Sequence, residues 1–179
     1  MRLASALPSL RYGAASTDSE RALGSIGSNS AGNIVYGAQL TNGLGGDADF
    51  FVLQYTGEQW RNGGNTTAHK LSFDYSLDAT SLSTGTWTSV TLLDFTGPVH
   101  TASAGALNGN QAANRETLNQ LVNLSSLWTS GSDLWIRWTA STMPETTTVC
   151  PSTIYRSFPE LSQFLSLPRW SPWVSAQWR

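Results

Sequence analysis

Residues 34–65, IVYGAQLTNGLGGDADFFVLQYTGEQWRNGGN, decide the fold class. Ile34, Tyr36, Ala38 and Leu40 alternate with Val35, Gly37, Gln39 and Thr41, so an extended backbone here gathers one apolar set on a single face. Thr41 to Gly46, TNGLGG, reads as a turn, because glycine and asparagine tolerate backbone conformations that turns require. Phe51, Leu53 and Tyr55 then alternate with Val52, Gln54 and Thr56, and a second half-buried strand ends at the RNGGN loop.

The period of two continues outward from this stretch. Leu71, Phe73 and Tyr75 alternate with Lys70, Ser72 and Asp74, and Leu134, Ile136 and Trp138 alternate with Trp135, Arg137 and Thr139. Residues 86–95, TWTSVTLLDF, are a further strand candidate, and residues 96–113 are mostly loop. Residues 114–127 carry two patterns: Leu118, Leu121 and Val122 have helical spacing, whereas the small polar residues around them suit an extended run, and a strand is the expectation. Many short strands without strand–helix alternation imply an all-β chain, an antiparallel β-sandwich of jelly-roll type.

Composition narrows the class further. At 179 residues the chain suits one domain with a sizeable core. Only 12% of residues are charged, against ~25% in a typical globular domain, while Ser, Thr, Gly and Asn are abundant. That balance suits an extracellular β protein better than a cytosolic enzyme. A net charge of -2 with no Lys/Arg cluster offers no surface for phosphate, which argues against nucleic-acid and anionic-membrane partners. Cys150 stands alone, and His69 and His100 are isolated, so neither an internal disulfide nor a zinc set is expected. No apolar run approaches the ~20 residues of a membrane span. Met1 to Leu10, interrupted by Pro8, makes a poor signal peptide, and residues 1–16 read as a truncated amino-terminal segment.

Three stretches carry a family likeness: residues 20–42, ERALGSIGSNSAGNIVYGAQLTN; residues 55–90, which include YTGEQWRNGGNTTA, LSFDYS and ATSLSTGTWTSV; and residues 134–139, LWIRWT. Together they resemble a β-sandwich module of bacterial secreted and surface proteins, of the kind found beside PEP-CTERM sorting signals, lamin-tail domains or extracellular nuclease and phosphatase domains. The likeness covers about residues 17–139, and GEQWRNGGN is its most specific element. It implies a secreted or cell-surface module at 17–140, with no catalytic role and no cofactor.

The family pattern ends with an acidic, glycine-containing strand, and here the chain departs from it. Residues 141–179 contain no Gly, Asp or Asn, yet hold five of the seven prolines, three of the eight tryptophans and the cysteine. Thr142 to Ser157, TMPETTTVCPSTIYRS, can be back-translated so that the neighbouring frame reads HAGNDDGLPVDDLSL, which is the missing ending. Several bases in that reading are forced, since Met followed by Pro must give Ala and each Thr must contribute AC. A frameshift near residues 139–142 is therefore the expectation, with 141–179 as an unselected tail and the sandwich incomplete at its carboxyl-terminal strand. A sheet lacking that strand would expose unpaired backbone and apolar surface, giving a marginal or insoluble product. The prolines of residues 167–178, LPRWSPWVSAQW, suit the tail poorly to a replacement strand.

Candidate sites are few. Glu58, Gln59, Trp60 and Arg61 combine charges, an amide and an indole at a strand end, chemistry able to hydrogen-bond and stack on a sugar ring; the competing structural reading has Trp60 capping the core and Glu58 or Arg61 pinning a loop. Trp135 and Arg137 share the strand face opposite Ile136 and Trp138, forming either an exposed platform or part of a doubly buried strand. Asp47 and Asp49 in GGDAD are weak calcium candidates beside a solvated-turn reading. Glu20, Glu58, Asp74, Asp94 and Glu116 are the carboxylates from which an acid–base pair would be drawn, but no nucleophile elbow, phosphate loop or hydrolase pattern surrounds them. His69 is expected at the surface. Function is thus expected to be binding, to polysaccharide or cell-surface components; an accessory role in a larger extracellular hydrolase and a non-functional frameshifted fragment are the alternatives. Sequencing the gene across codons 130–180 is expected to show the neighbouring frame continuing through GNDDGL and VDD; a closed neighbouring frame would make the tail genuine.

Overall fold

Alternation of apolar and polar residues becomes strand pairing throughout the computed structural model. It describes residues 32–140 with their side chains, together with the backbone of Arg2–Ser5, Leu10–Tyr12, Ala22–Gly24 and Ser152–Arg156. In chain order the strands are β1 (Arg2–Ser5), β2 (Leu10–Tyr12), β3 (Ala22–Gly24), β4 (Ile34–Thr41), β5 (Ala48–Gln59), β6 (Arg61–Asn62), β7 (Lys70–Ser76), β8 (Thr88–Ser89), β9 (Phe95–Thr96), β10 (Gly105–Ala106), β11 (Arg115–Trp128), β12 (Asp133–Ala140) and β13 (Ser152–Arg156). Two short 3-10 turns, Thr91–Leu93 and Ala112–Asn114, are the helical elements among the described residues. Apart from the named strands, the expected segment 1–16 and the tail 141–179 lie outside the described residues, as does the Glu20 candidate.

All pairings are antiparallel. One sheet runs β1-β4-β12-β7, with β8 and β9 meeting successive parts of β7; the second runs β11-β5-β13-β3-β2; β6 and β10 form a small separate ribbon. Register follows the alternation: Ile34 lies opposite Ala140 and Thr41 opposite Asp133, while Trp138 stands between Tyr36 and Phe73. Arg115 to Asn123 of β11 run opposite Glu58 to Phe50 of β5 before the ladder shifts towards Trp128. Residues 114–127 thus form a strand, as the polar pattern implied. In the tail, β13 uses STIYR, upstream of the proline-rich stretch and free of proline, and lies between β5 and β3.

Both large sheets turn their apolar sets towards one core. Tyr36, Ala38, Leu71, Phe73, Tyr75, Leu134, Ile136 and Trp138 come from the first sheet, and Leu53, Tyr55 and Val122 from the second. The Trp138 ring lies 5.1 Å from Phe73 and 5.3 Å from Tyr55 in edge contacts and stacks on Tyr36 at 6.4 Å, geometries that aromatic quadrupoles favour. Asn42 joins two turns at one end of the sandwich. Its buried amide donates to Gly46 O at 2.9 Å and Trp128 O at 2.8 Å, and its Oδ1 accepts from Leu44 N.

Two expectations change. Residues 86–95 do not form one strand, because a side chain replaces part of the ladder: Phe73 N donates to Asp94 Oδ1 at 2.8 Å while Val90 N donates to Phe73 O at 3.0 Å. The intervening 3-10 turn drives Leu93 into the core, and Phe95 follows it. His69 is buried rather than at the surface, since Gly97 N bonds to His69 O at 2.8 Å and β9 crosses beside β7 at Lys70 and Leu71. Phe95 packs directly over β5 at Gly57, where an added Cβ would fall 2.2 Å from the ring. Gly57→Ala is expected to cost about 1–3 kcal/mol in urea unfolding, the ordinary penalty of overpacking, whereas Gly43→Ala, with open space around its Cβ position, is expected to stay within ~0.5 kcal/mol.

Candidate functional site

The end of β5 and the start of β6 place GEQWRN where a long loop must be held. Gln59, almost fully buried, closes a two-way clamp on Val99: its Nε2 donates to Val99 O at 2.6 Å and its Oε1 accepts from Val99 N at 2.8 Å. Asn62 Nδ2 reaches Thr101 O, Thr101 Oγ1 and Ser103 O at 2.7–2.9 Å. Leu107 N donates to Trp60 O at 2.9 Å, which carries the loop into the β6–β10 ribbon. The loop is therefore pinned by the two amides flanking Trp60 and Arg61. Sequence reasoning assigned that role to Glu58 or Arg61. The available signal was chemical: a primary amide offers donors and an acceptor matched to a backbone peptide, which a carboxylate or guanidinium cannot offer alone.

Glu58 instead orients Trp60. Its buried carboxylate accepts from the indole Nε1 at 3.0 Å. Gly109 leaves room against the same five-membered ring, since a Cβ there would sit 2.5 Å from Nε1 and Cε2. Trp60 is half-buried, so part of the held ring remains in contact with solvent. Arg61 is also half-buried, and its Nε is enclosed without a hydrogen-bond partner, as is Asn110 Oδ1 in the loop beside Gly109.

Trp135 and Arg137 form no open platform. The segment between β7 and β8 folds over the outer face of the first sheet, and Ala79 and Leu82 bury Trp135. Close approach needs Gly37, where a Cβ would lie 2.1 Å from Ile136 O and 2.8 Å from the Leu82 side chain. Arg137 fastens the segment from below: Nε bonds to Asp74 Oδ2 at 3.0 Å, NH1 bonds to Leu82 O at 2.9 Å, and the guanidinium lies 3.9 Å from the centre of the Trp87 ring. Ser89 Oγ donates to the other Asp74 oxygen at 2.5 Å. Within the segment, the Thr86 amide and the Ser76 hydroxyl bond to Asp78 and hold its carboxyl below the usual range.

The remaining carboxylates are scattered. Asp94 is tied to Phe73 N and to Lys70 Nζ at 2.6 Å, while Glu116 is exposed on β11. Asp47 and Asp49 are exposed; Asp47 accepts from Ser130 N at 2.9 Å, a turn-locking bond. No group of three or more His, Cys, Asp or Glu side chains able to hold a metal ion occurs among the described residues. Tyr55 is raised well above its usual range by burial, an effect that its contact with Trp138 reduces, and its hydroxyl bonds to Leu93 O. Among the described residues no helix is long and apolar enough to cross a membrane.

The fold and its polar clusters define an all-β protein of antiparallel sheets. The sequence matches no family model and no curated protein. Arg137→Met is expected to destabilise the chain by about 1.5–3 kcal/mol, the range for hydrogen bonds to charged groups, because Asp74 loses its cation. Adding Asp74→Asn to that variant is expected to restore part of the loss in urea unfolding.

Proposed function

We propose that this chain is a non-catalytic, jelly-roll-like module of a bacterial secreted or cell-surface protein that binds polysaccharide or another surface component through Trp60. The observation that carries the reading is the half-buried indole held by Glu58 and accommodated by the absence of a side chain at Gly109. A ring already fixed in place loses little side-chain freedom on binding, and its face offers apolar area to the C–H face of a sugar. Arg61, half-buried beside it, is the polar companion nearest in sequence. Trp135 and Arg137 have no part in the reading, since both serve the folded outer segment. The extracellular setting rests on the low charge content and on the resemblance of residues 17–139, and no cofactor, nucleic acid or membrane partner enters it.

A second reading makes the module an accessory domain of a longer extracellular hydrolase, a nuclease or phosphatase, with the present tail a frameshift product. One observation favours it: the codons of β13, in the slot between β5 and β3, are those that the neighbouring frame can read as DDLS.

Retention of the full chain on insoluble cellulose, chitin and peptidoglycan tests the first reading. Wild-type protein is expected to be held by at least one of them, and Trp60→Ala to lose tenfold or more in retention with its far-UV circular dichroism unchanged. Equal retention of the two proteins, or none on any matrix, would contradict it.

A further inference from the structure

Four of the strands that lie at sheet margins are short. β1 has four residues, β2 three, and β8 and β9 two each. Short edges are one of the ways proteins keep unpaired backbone groups from recruiting another strand. β11 breaks that pattern. It has 14 residues, stands at the end of its sheet, and among the described residues pairs with β5 alone. From Thr117 to Trp128 it contains no charged residue, no proline and no glycine. Among the described residues none of the usual protective devices is present along this run up to Asn123; beyond it the ladder shifts and Ser125 N donates to the Tyr75 hydroxyl at 3.2 Å.

We propose that β11 is a self-pairing edge through which two copies of this chain join antiparallel, about a two-fold axis at Leu121, into one continuous sheet. A two-fold contact must be self-complementary. Centred on Leu121, the pairing sets Leu121 against its own copy, Asn119 against Asn123 and Thr117 against Ser125 on the outer face. On the core face it sets Leu118 against Leu124 and Gln120 against Val122. Leucines meet leucines, asparagines meet asparagines, and hydroxyls meet hydroxyls; Gln120 against Val122 is the one mixed pair, and no charge falls in the register between Thr117 and Ser125. The residues at stake are those that the isolated chain covers incompletely: Leu121 is 55% exposed, and Leu118 and Leu124 pack on the core while only half-buried. A second copy's edge completes their burial, which an unrelated partner without this pattern would not do. The contact is a single strand pair with its flanking side chains, at the small end of specific interfaces (below ~1,200 Å²), so the dimer should dissociate on dilution.

Sedimentation of the full chain over a hundredfold range of concentration tests the pairing. The wild type is expected to pass reversibly from monomer to dimer as concentration rises. Leu121→Lys, which sets two ammonium groups opposite each other at an exposed position, is expected to stay monomeric with unchanged circular dichroism. A second measurement fixes the register independently of affinity. In a Cys150→Ser background, Leu121→Cys is expected to form a disulfide-linked dimer under mild oxidation, because directly opposed Cβ atoms stand within bridging distance. Leu44→Cys, equally exposed but in the β4–β5 turn, is expected to remain largely monomeric. A wild type that stays monomeric at all concentrations, a Leu121→Lys variant that still dimerises, or equal cross-linking at the two cysteines would overturn the proposal.

Discussion

Trp138 is the residue through which the two sheets recognise each other. Its neighbours in the first sheet, Tyr36 and Phe73, are set by strand register alone, since β12 lies between β4 and β7. Tyr55 comes from the other sheet and meets the same indole edge-on. The interlayer core is therefore organised around one large ring touching three others, and the remaining apolar residues fill the space that arrangement leaves. Phe95 enters over Gly57 because that position lacks a side chain, and Tyr55 closes the same corner by bonding to Leu93 O.

Outside this core, polar side chains do work that backbone ladders do elsewhere. Asp94 supplies the acceptor for Phe73 N, Gln59 and Asn62 hold the 97–107 loop, and Asn42 bridges two turns. Each is buried or nearly so, and each amide or carboxylate is matched to backbone groups that would otherwise be enclosed without partners. Arg137 and Asp74 act similarly on the opposite face, where the guanidinium unites a carboxylate, a carbonyl and an indole. These staples account for a chain with few charges in which the charged residues nonetheless hold defined positions.

Strand identity was legible wherever the period of two was clean, as in residues 34–41, 51–56, 70–75 and 134–139, because a half-buried strand writes its faces directly into the alternation. It was also legible in residues 114–127, where the small polar residues outweighed three apolar residues at helical spacing. Residues 86–95 misled because Asp94 interrupts the ladder by a side-chain bond, a tertiary event without local signature. His69 misled for a related reason: its burial comes from a distant segment, β9, crossing beside it. At the candidate site, the grouping of Glu58, Gln59, Trp60 and Arg61 was visible, but the division of labour among them was not, since it depends on the loop that arrives from residues 97–111. Trp135 and Arg137 were correctly placed on one face, yet nothing in their own strand announced the segment that covers them.

A double-mutant cycle between Tyr55 and Trp138 tests most directly whether the sheets are joined through this ring. Tyr55→Leu, Trp138→Leu and the double variant would be compared in urea unfolding. The expected coupling is about 0.5–1.5 kcal/mol beyond additivity, the range for an edge-to-face aromatic pair. Additivity within ~0.3 kcal/mol would contradict the account, because it would mean that the two residues contribute to the core independently.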